Sequence, residues 1–156
     1  MTSTGSGAGA GVATNIHATM VVIGDRGVLI AGPSGSGKTS LALTLIERAS
    51  ARGAFARLVS DDQVLLAARG LRLVCTAPPS IAGLAERRGL GPAPANHVGA
   101  AVADLMVRLV PAADAPRVDP GGVVMVAGVE LPVIALPERL AETAARAIEA
   151  RLARRD

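Results

Sequence analysis

Gly32-Pro33-Ser34-Gly35-Ser36-Gly37-Lys38-Thr39 is a complete G-x-x-x-x-G-K-[ST] loop, and its flanks suit it. Gly27 to Ala31 reads as a short buried strand, and Thr39 to about Arg52 reads as a helix. Glycines let successive backbone N–H groups curl around a polyphosphate, and the helix N-terminus adds its positive dipole end. Lys38 is placed to reach the β- and γ-phosphates of a nucleotide such as ATP, and the Thr39 hydroxyl to ligate Mg²⁺. Ser40 follows in the same turn. Lys38 is also the sole lysine of the chain, every other basic residue being arginine. A compact ammonium on a flexible stem suits the phosphate cradle better than a planar guanidinium.

Working outward, Ala18 to Ile23 reads as a strand, with Gly24-Asp25-Arg26-Gly27 supplying turn chemistry, so an antiparallel hairpin precedes the loop. Leu41, Leu45, Ile46 and Ala49 recur at helical spacing, and Gly53 ends that helix. Ala56 to Ser60 is the next strand, with Asp61-Asp62 at its C-terminal end. Val64 to Ala68 and Leu71 to Cys75 form a second hairpin. Ser80 to Arg87 reads as a short helix, followed by a loop through Arg88-Gly89-Leu90-Gly91-Pro92 and a Pro/Ala linker. Leu105 to Val110, Val123 to Val126 and Val129 to Ile134 are strands, and Pro137 opens a final helix. Leu140, Ala144, Ala147, Ile148 and Leu152 line one face of it, with Glu142 and Arg146 pairing on another. The fold class is α/β: a P-loop-containing mixed sheet with antiparallel hairpins, without strict β-α-β alternation.

At 156 residues, half of them apolar, the chain is long enough for one well-cored domain. Residues 1–14 read as a flexible tail and 15–156 as the domain. The tail has neither the basic start nor the apolar run of a signal peptide or membrane anchor. Phe55 is the single aromatic, which argues against nucleic-acid binding by base stacking. The net charge of +3 comes from scattered arginines. One cysteine, Cys75, forms no intramolecular disulfide and fits a reducing cytoplasm, reading as a packed core thiol.

Outside the loop, Asp61 and Asp62 occupy the position where P-loop proteins hold Mg²⁺, and two carboxylates can divide metal binding from proton acceptance. Taken alone they also read as an acidic turn. Glu86 and Arg88 flank the glycines at 89 and 91, and read either as part of a Mg–phosphate site or as a solvated helix end. His17 and His97 taken alone read as surface or structural histidines.

Together these segments resemble a known family. His17, Arg26 to Gly32, the loop through Thr39, Leu58-Val59-Ser60-Asp61-Asp62, Ala77-Pro78, Ile81 to Leu84, Glu86-Arg87-Arg88-Gly89-Leu90-Gly91 and Val129 to Val133 are similar, in order, to the catalytic domain of HPr kinase/phosphorylase. The Glu86–Gly91 segment discriminates best, because generic P-loop kinases lack it. The resemblance implies an HPr kinase/PEP carboxykinase-like catalytic domain that transfers the γ-phosphoryl group of ATP to a serine of HPr, the phosphocarrier of the sugar phosphotransferase system. It implies Asp61 as base, His17 as its helper, and Thr39, Asp62 and Glu86 around Mg²⁺. Full-length members are homo-oligomers, hexamers with a further N-terminal domain. Ser40 stands where the family commonly has glutamate. Ile134-Ala-Leu-Pro137 stands where it carries an arginine-, proline- and glycine-bearing loop, so phosphorylase activity is not expected. A P-loop kinase for a small metabolite, and a non-catalytic ATP-sensing module, are the competing readings.

Overall fold

The computed structural model describes residues 13–154. The expected tail therefore lies outside the described residues up to residue 12. Thr14 already belongs to β1 (Thr14–Ile16), which pairs antiparallel with a later strand, Thr14 lying opposite Leu66.

The strands β2 (Ala18–Ile23) and β3 (Arg26–Ala31) form the expected hairpin, with Ala18 opposite Ala31. The loop leads into α1 (Lys38–Ala51). There follow β4 (Ala56–Ser60), β5 (Val64–Arg69), β6 (Arg72–Thr76), β7 (Leu84–Arg87), β8 (Gly91–Pro94), β9 (Ala100–Ala103), β10 (Leu105–Val110), β11 (Gly122–Val126), β12 (Val129–Pro137) and α2 (Ala141–Ala153). A six-stranded sheet has the order β11-β12-β10-β3-β2-β4, a four-stranded sheet β1-β5-β6-β9, and β7-β8 is a separate hairpin. β10 runs parallel to both β3 and β12, and the other pairings are antiparallel.

The period-2 alternation of β2 and β3 splits the core into two layers. Val21, Ile23, Val28 and Ile30 face the helices, joining Leu41, Ala42, Leu45 and Ala49 of α1 and Ala144, Ala145 and Ile148 of α2. Met20 and Leu29 face the other way, onto Val64, Leu66, Leu73 and Cys75 of the smaller sheet. The result is a helix layer, a central sheet and a second sheet. Burial pushes the Cys75 thiol up to about 12, which fits the expected packed core residue. Thiol reagents at pH 8 should therefore label the native chain slowly and the guanidinium-unfolded chain fast. Equal rates would show that Cys75 is open to solvent.

Three expectations are corrected. Ser80 to Arg87 is not a helix: a 3₁₀ turn, Pro79–Ile81, precedes strand β7, and the supposed linker supplies its partner β8 and then β9. Gly83, at φ +78 with His97 packed where a Cβ would lie, interrupts any helix there. Pro137 ends β12, opposite Val110, rather than opening α2, which starts at Ala141 after a left-handed Arg139. Third, Glu142 pairs not with Arg146 of its own helix but with Arg48 of α1, at 3.1 Å; Arg48 also binds Glu149 at 2.8 Å, and Arg52 reaches Glu149 as well.

The hydrogen bonds from Arg48 hold the Glu149 carboxyl below its usual range, against a smaller opposing effect of burial. A carboxylate depressed in the fold stabilises above its unfolded pKa and loses that contribution as pH falls through the folded one. Arg48→Ala should therefore lower Tm at pH 7 and flatten the fall in Tm between pH 6 and pH 3. An unchanged acid limb would show the bridge to be thermally silent.

Candidate active site

The phosphate loop joins the C-terminal end of β3 to α1 at one end of the central sheet. Its shape depends on two glycines. A Cβ on Gly32 would lie 2.6 Å from Ser36 Oγ, so no side chain fits there. Gly37 is the N-cap of α1 at φ 93, a left-handed conformation costly for residues with a Cβ. No side chain caps the first turn of α1, so its leading amides are left for an external anion. Pro33 O accepts from Ser36 N at 3.0 Å, tightening the turn, while Ser36 is buried with no partner for its hydroxyl among the described residues.

Lys38 is nearly buried, and its Nζ donates to Gly32 O (3.0 Å) and Pro33 O (3.2 Å). Burial pulls its pKa below the usual lysine value, and the nearby Asp62 and Asp61 carboxylates oppose that shift. The same Nζ stands 3.2 Å from His17 Nε2, and His17 Nδ1 stands 3.1 Å from Asp62 Oδ1. One neutral tautomer satisfies both contacts: Nε2 accepts from the ammonium and Nδ1–H donates to the carboxylate. His17, read on its own as a surface residue, thus links Lys38 to Asp62.

The two aspartates face different ways. Asp61 is buried, and its Oδ1 accepts from Thr39 Oγ1 (2.7 Å) and Thr19 Oγ1 (2.9 Å). Its Oδ2 accepts from the Glu86 backbone N–H at 2.8 Å. Asp62, at φ 69, turns the chain outward, and its side chain is 62% exposed. The Thr39 hydroxyl thus bonds Asp61 and not Asp62, because the Asp61 side chain points inward while the left-handed Asp62 turns its own outward.

A cavity of about 1060 Å³ opens above these groups. Ser34, Gly35, Gly37, Lys38, Thr39, Ser40, Asp62, Glu86 and Arg88 line it; Gly32, Pro33, Ser36, Asp61 and His17 do not, and contribute through the contacts above. Arg87 and Arg88 also line it, with no ion-pair partner among the described residues. Two further residues escaped the sequence reading. Arg139 lines the cavity and grips the loop, through its N–H to Ser36 O (3.0 Å) and Nη1 to Gly35 O (3.1 Å). It lies in the segment just before the last helix, so that segment does bring an arginine to the loop. Only a Pro-x-Arg immediately ahead of a helix could have pointed to it. Thr19, fully buried, read as an ordinary β-branched strand residue.

The donor set suits Mg²⁺, which takes a few hard protein oxygens and completes its shell with phosphates and water. Thr39 Oγ1, oriented by Asp61 Oδ1, and the Glu86 carboxylate at the cavity wall are such oxygens. Among the described residues no group of three or more His, Cys, Asp or Glu is placed to hold a metal ion. No helix among them is long and apolar enough to cross a membrane.

The chain is 42% identical over 78 residues to HPr kinase/phosphorylase of Limosilactobacillus reuteri, covering 49% of this chain and 22% of the relative. It is 44% identical over 79 residues to HPr kinase/phosphorylase 1 of Oceanobacillus iheyensis, covering 50% and 24%. The aligned stretch thus spans about a quarter of the length of these curated relatives. The fold matches the structure of the Hpr(Ser) kinase/phosphatase from Coxiella burnetii with a TM-score of 0.75 at 25% identity, covering 89% of this chain and 96% of that one. Residues 10–154 match the family described as HPr Serine kinase C-terminal domain, and with the fold in agreement the chain belongs to that family.

Proposed function

We propose that this domain is an ATP-dependent kinase that transfers the γ-phosphoryl group to a serine of HPr or an HPr-like phosphocarrier. The observation that carries the reading is one cavity flanked by two separate carboxylate systems: Asp61 bound to Thr39, and Asp62 bound to His17. A nucleotide sensor needs the first of these and has no use for the second.

The geometry favours a division of labour opposite to the one the family resemblance implies. A base must offer a free lone pair to the acceptor hydroxyl. Asp61 has three donors on its two oxygens and lies beneath the loop. Asp62 is open to the cavity, held by His17 alone among side chains. In this reading Asp62 takes the serine proton as Oγ attacks the γ-phosphorus and the bond to the β–γ bridging oxygen breaks, releasing ADP. His17 orients the carboxylate. Loop amides, Lys38 and Arg88 bind the phosphates, and Arg139 holds the loop in shape. Thr39, its hydroxyl oriented by Asp61, and Glu86 at the cavity wall would hold Mg²⁺, which neutralises phosphate charge and aligns the reacting oxygens. Positioning and charge stabilisation supply most of the rate.

Labelled ATP, Mg²⁺ and an HPr-type carrier test the assignment. Phosphate is expected on a carrier serine, located by mass spectrometry. An unmodified carrier alongside consumption of a small hydroxylated metabolite would move the assignment to a metabolite kinase.

A further inference from the structure

We infer that the tip of the β7–β8 hairpin is a docking point for the acceptor protein, with Leu90 as its apolar anchor and Arg87 as its charged flank; this rests on the kinase reading above. The hairpin stands at the cavity wall, with Glu86, Arg87, Arg88, Gly89 and Gly91 all facing the cavity. Leu90 is absent from that lining and is 81% exposed, so its side chain points out from the rim. A hydrogen-bonded turn presents it. Leu90 N donates to Arg87 O at 2.9 Å, and Gly89 and Gly91 on either side have φ +83 and +80.

The tip is also tied to the chemistry. The Glu86 N–H bonds Asp61 Oδ2, and at the other end Ala95 N–H bonds Gly83 O. A small acceptor would sit inside the cavity and never meet Leu90. A protein that brings a hydroxyl to Asp62 has to pass this rim and cover it. Arg87, without an ion-pair partner among the described residues, gives the rim a positive charge. The complementary partner surface is therefore an apolar patch with an acidic neighbour, next to the target serine. Charge at the rim acts mainly on encounter, and a buried apolar side chain at the centre of a contact acts mainly on dissociation.

Leu71 supplies the control. It is a hairpin-tip leucine of the same kind, 96% exposed, but it borders a different cleft lined by Arg72 and Asp104. Steady-state phosphorylation of an HPr-type carrier should show the KM for carrier raised about tenfold or more by Leu90→Ser, with kcat and ATP binding unchanged. Arg87→Gln should raise the same KM severalfold at low salt and lose most of that effect in high salt. Leu71→Ser should change nothing. A Leu90→Ser enzyme with the wild-type KM, or one whose loss falls on kcat or ATP binding, overturns the docking role. No transfer by the unmutated chain sinks the kinase reading, and this role with it.

Discussion

Asp62→Asn should lower phosphoryl transfer to the carrier by about 10²–10⁴-fold, the usual contribution of a positioned base, while ATP affinity changes little. The substitution is mild in every other respect. Asparagine tolerates the left-handed backbone at φ 69, and its amide oxygen can still accept from His17 Nδ1–H. Asp61→Asn should behave differently. Its carboxylate accepts from Thr39 and Thr19 on one oxygen and from the Glu86 N–H on the other, so an asparagine that keeps its oxygen on the Glu86 N–H turns its NH₂ to the two hydroxyls, which must rotate to accept. Exchanging charge-assisted hydrogen bonds for neutral ones weakens all three contacts, by about 1–3 kcal/mol in total, so Tm should fall, and Mg²⁺-dependent ATP affinity should fall with it as the Thr39 hydroxyl is turned from its present direction. Rapid-quench rates, Mg²⁺ titrations and thermal melts on both variants separate the two. Should Asp61→Asn abolish transfer with nucleotide affinity and Tm intact, while Asp62→Asn stays active, Asp61 is the base as the family resemblance implies.

What could be read from sequence follows the range of the interaction involved. The β2–β3 hairpin rests on Gly24-Asp25-Arg26-Gly27, the loop on eight contiguous residues, and α1 on apolar spacing within itself. All three are local, and all three stand as expected. β7 was hidden because its strand state comes from elsewhere: from β8, from the Asp61 carboxylate that takes the Glu86 N–H, and from His97 against Gly83. The parallel joins of β3 and β12 to β10 leave no local signal. At the site, Lys38, Thr39 and the aspartate pair were legible as motif. His17 became a candidate only through the family resemblance, since nothing beside it in the chain announces a lysine and an aspartate as neighbours. Arg139 grips a loop more than 100 residues earlier in the chain, and Thr19 is a polar group inside an apolar strand. Both roles exist only in the folded arrangement. The division between Asp61 and Asp62 depends on one backbone angle, which adjacency in sequence cannot supply.

Lys38→Ala should weaken ATP by roughly 10–100-fold, the effect of losing charge-assisted hydrogen bonds worth about 1.5–3 kcal/mol. The fold should survive. Pro33 O keeps its bond from Ser36 N, and the lysine was itself costly to bury, as its lowered pKa records. That shift also sets a pH signature. Where the folded lysine has begun to lose its proton and the unfolded one has not, the unfolded chain binds more protons, so stability gains with rising pH. The gain accumulates below the ordinary lysine value of 10.5 and is absent from Lys38→Ala. Relative to the variant, the wild-type Tm should therefore rise as pH approaches that value. Lys38→Met, which keeps the stem and removes the charge, should match Lys38→Ala in ATP affinity if charge is what the loop uses. Fluorescent-nucleotide titration and melts from pH 7 to 10 decide both points. ATP affinity unchanged in both variants would mean that the lysine caps the Gly32 and Pro33 carbonyls and contributes nothing to holding phosphate.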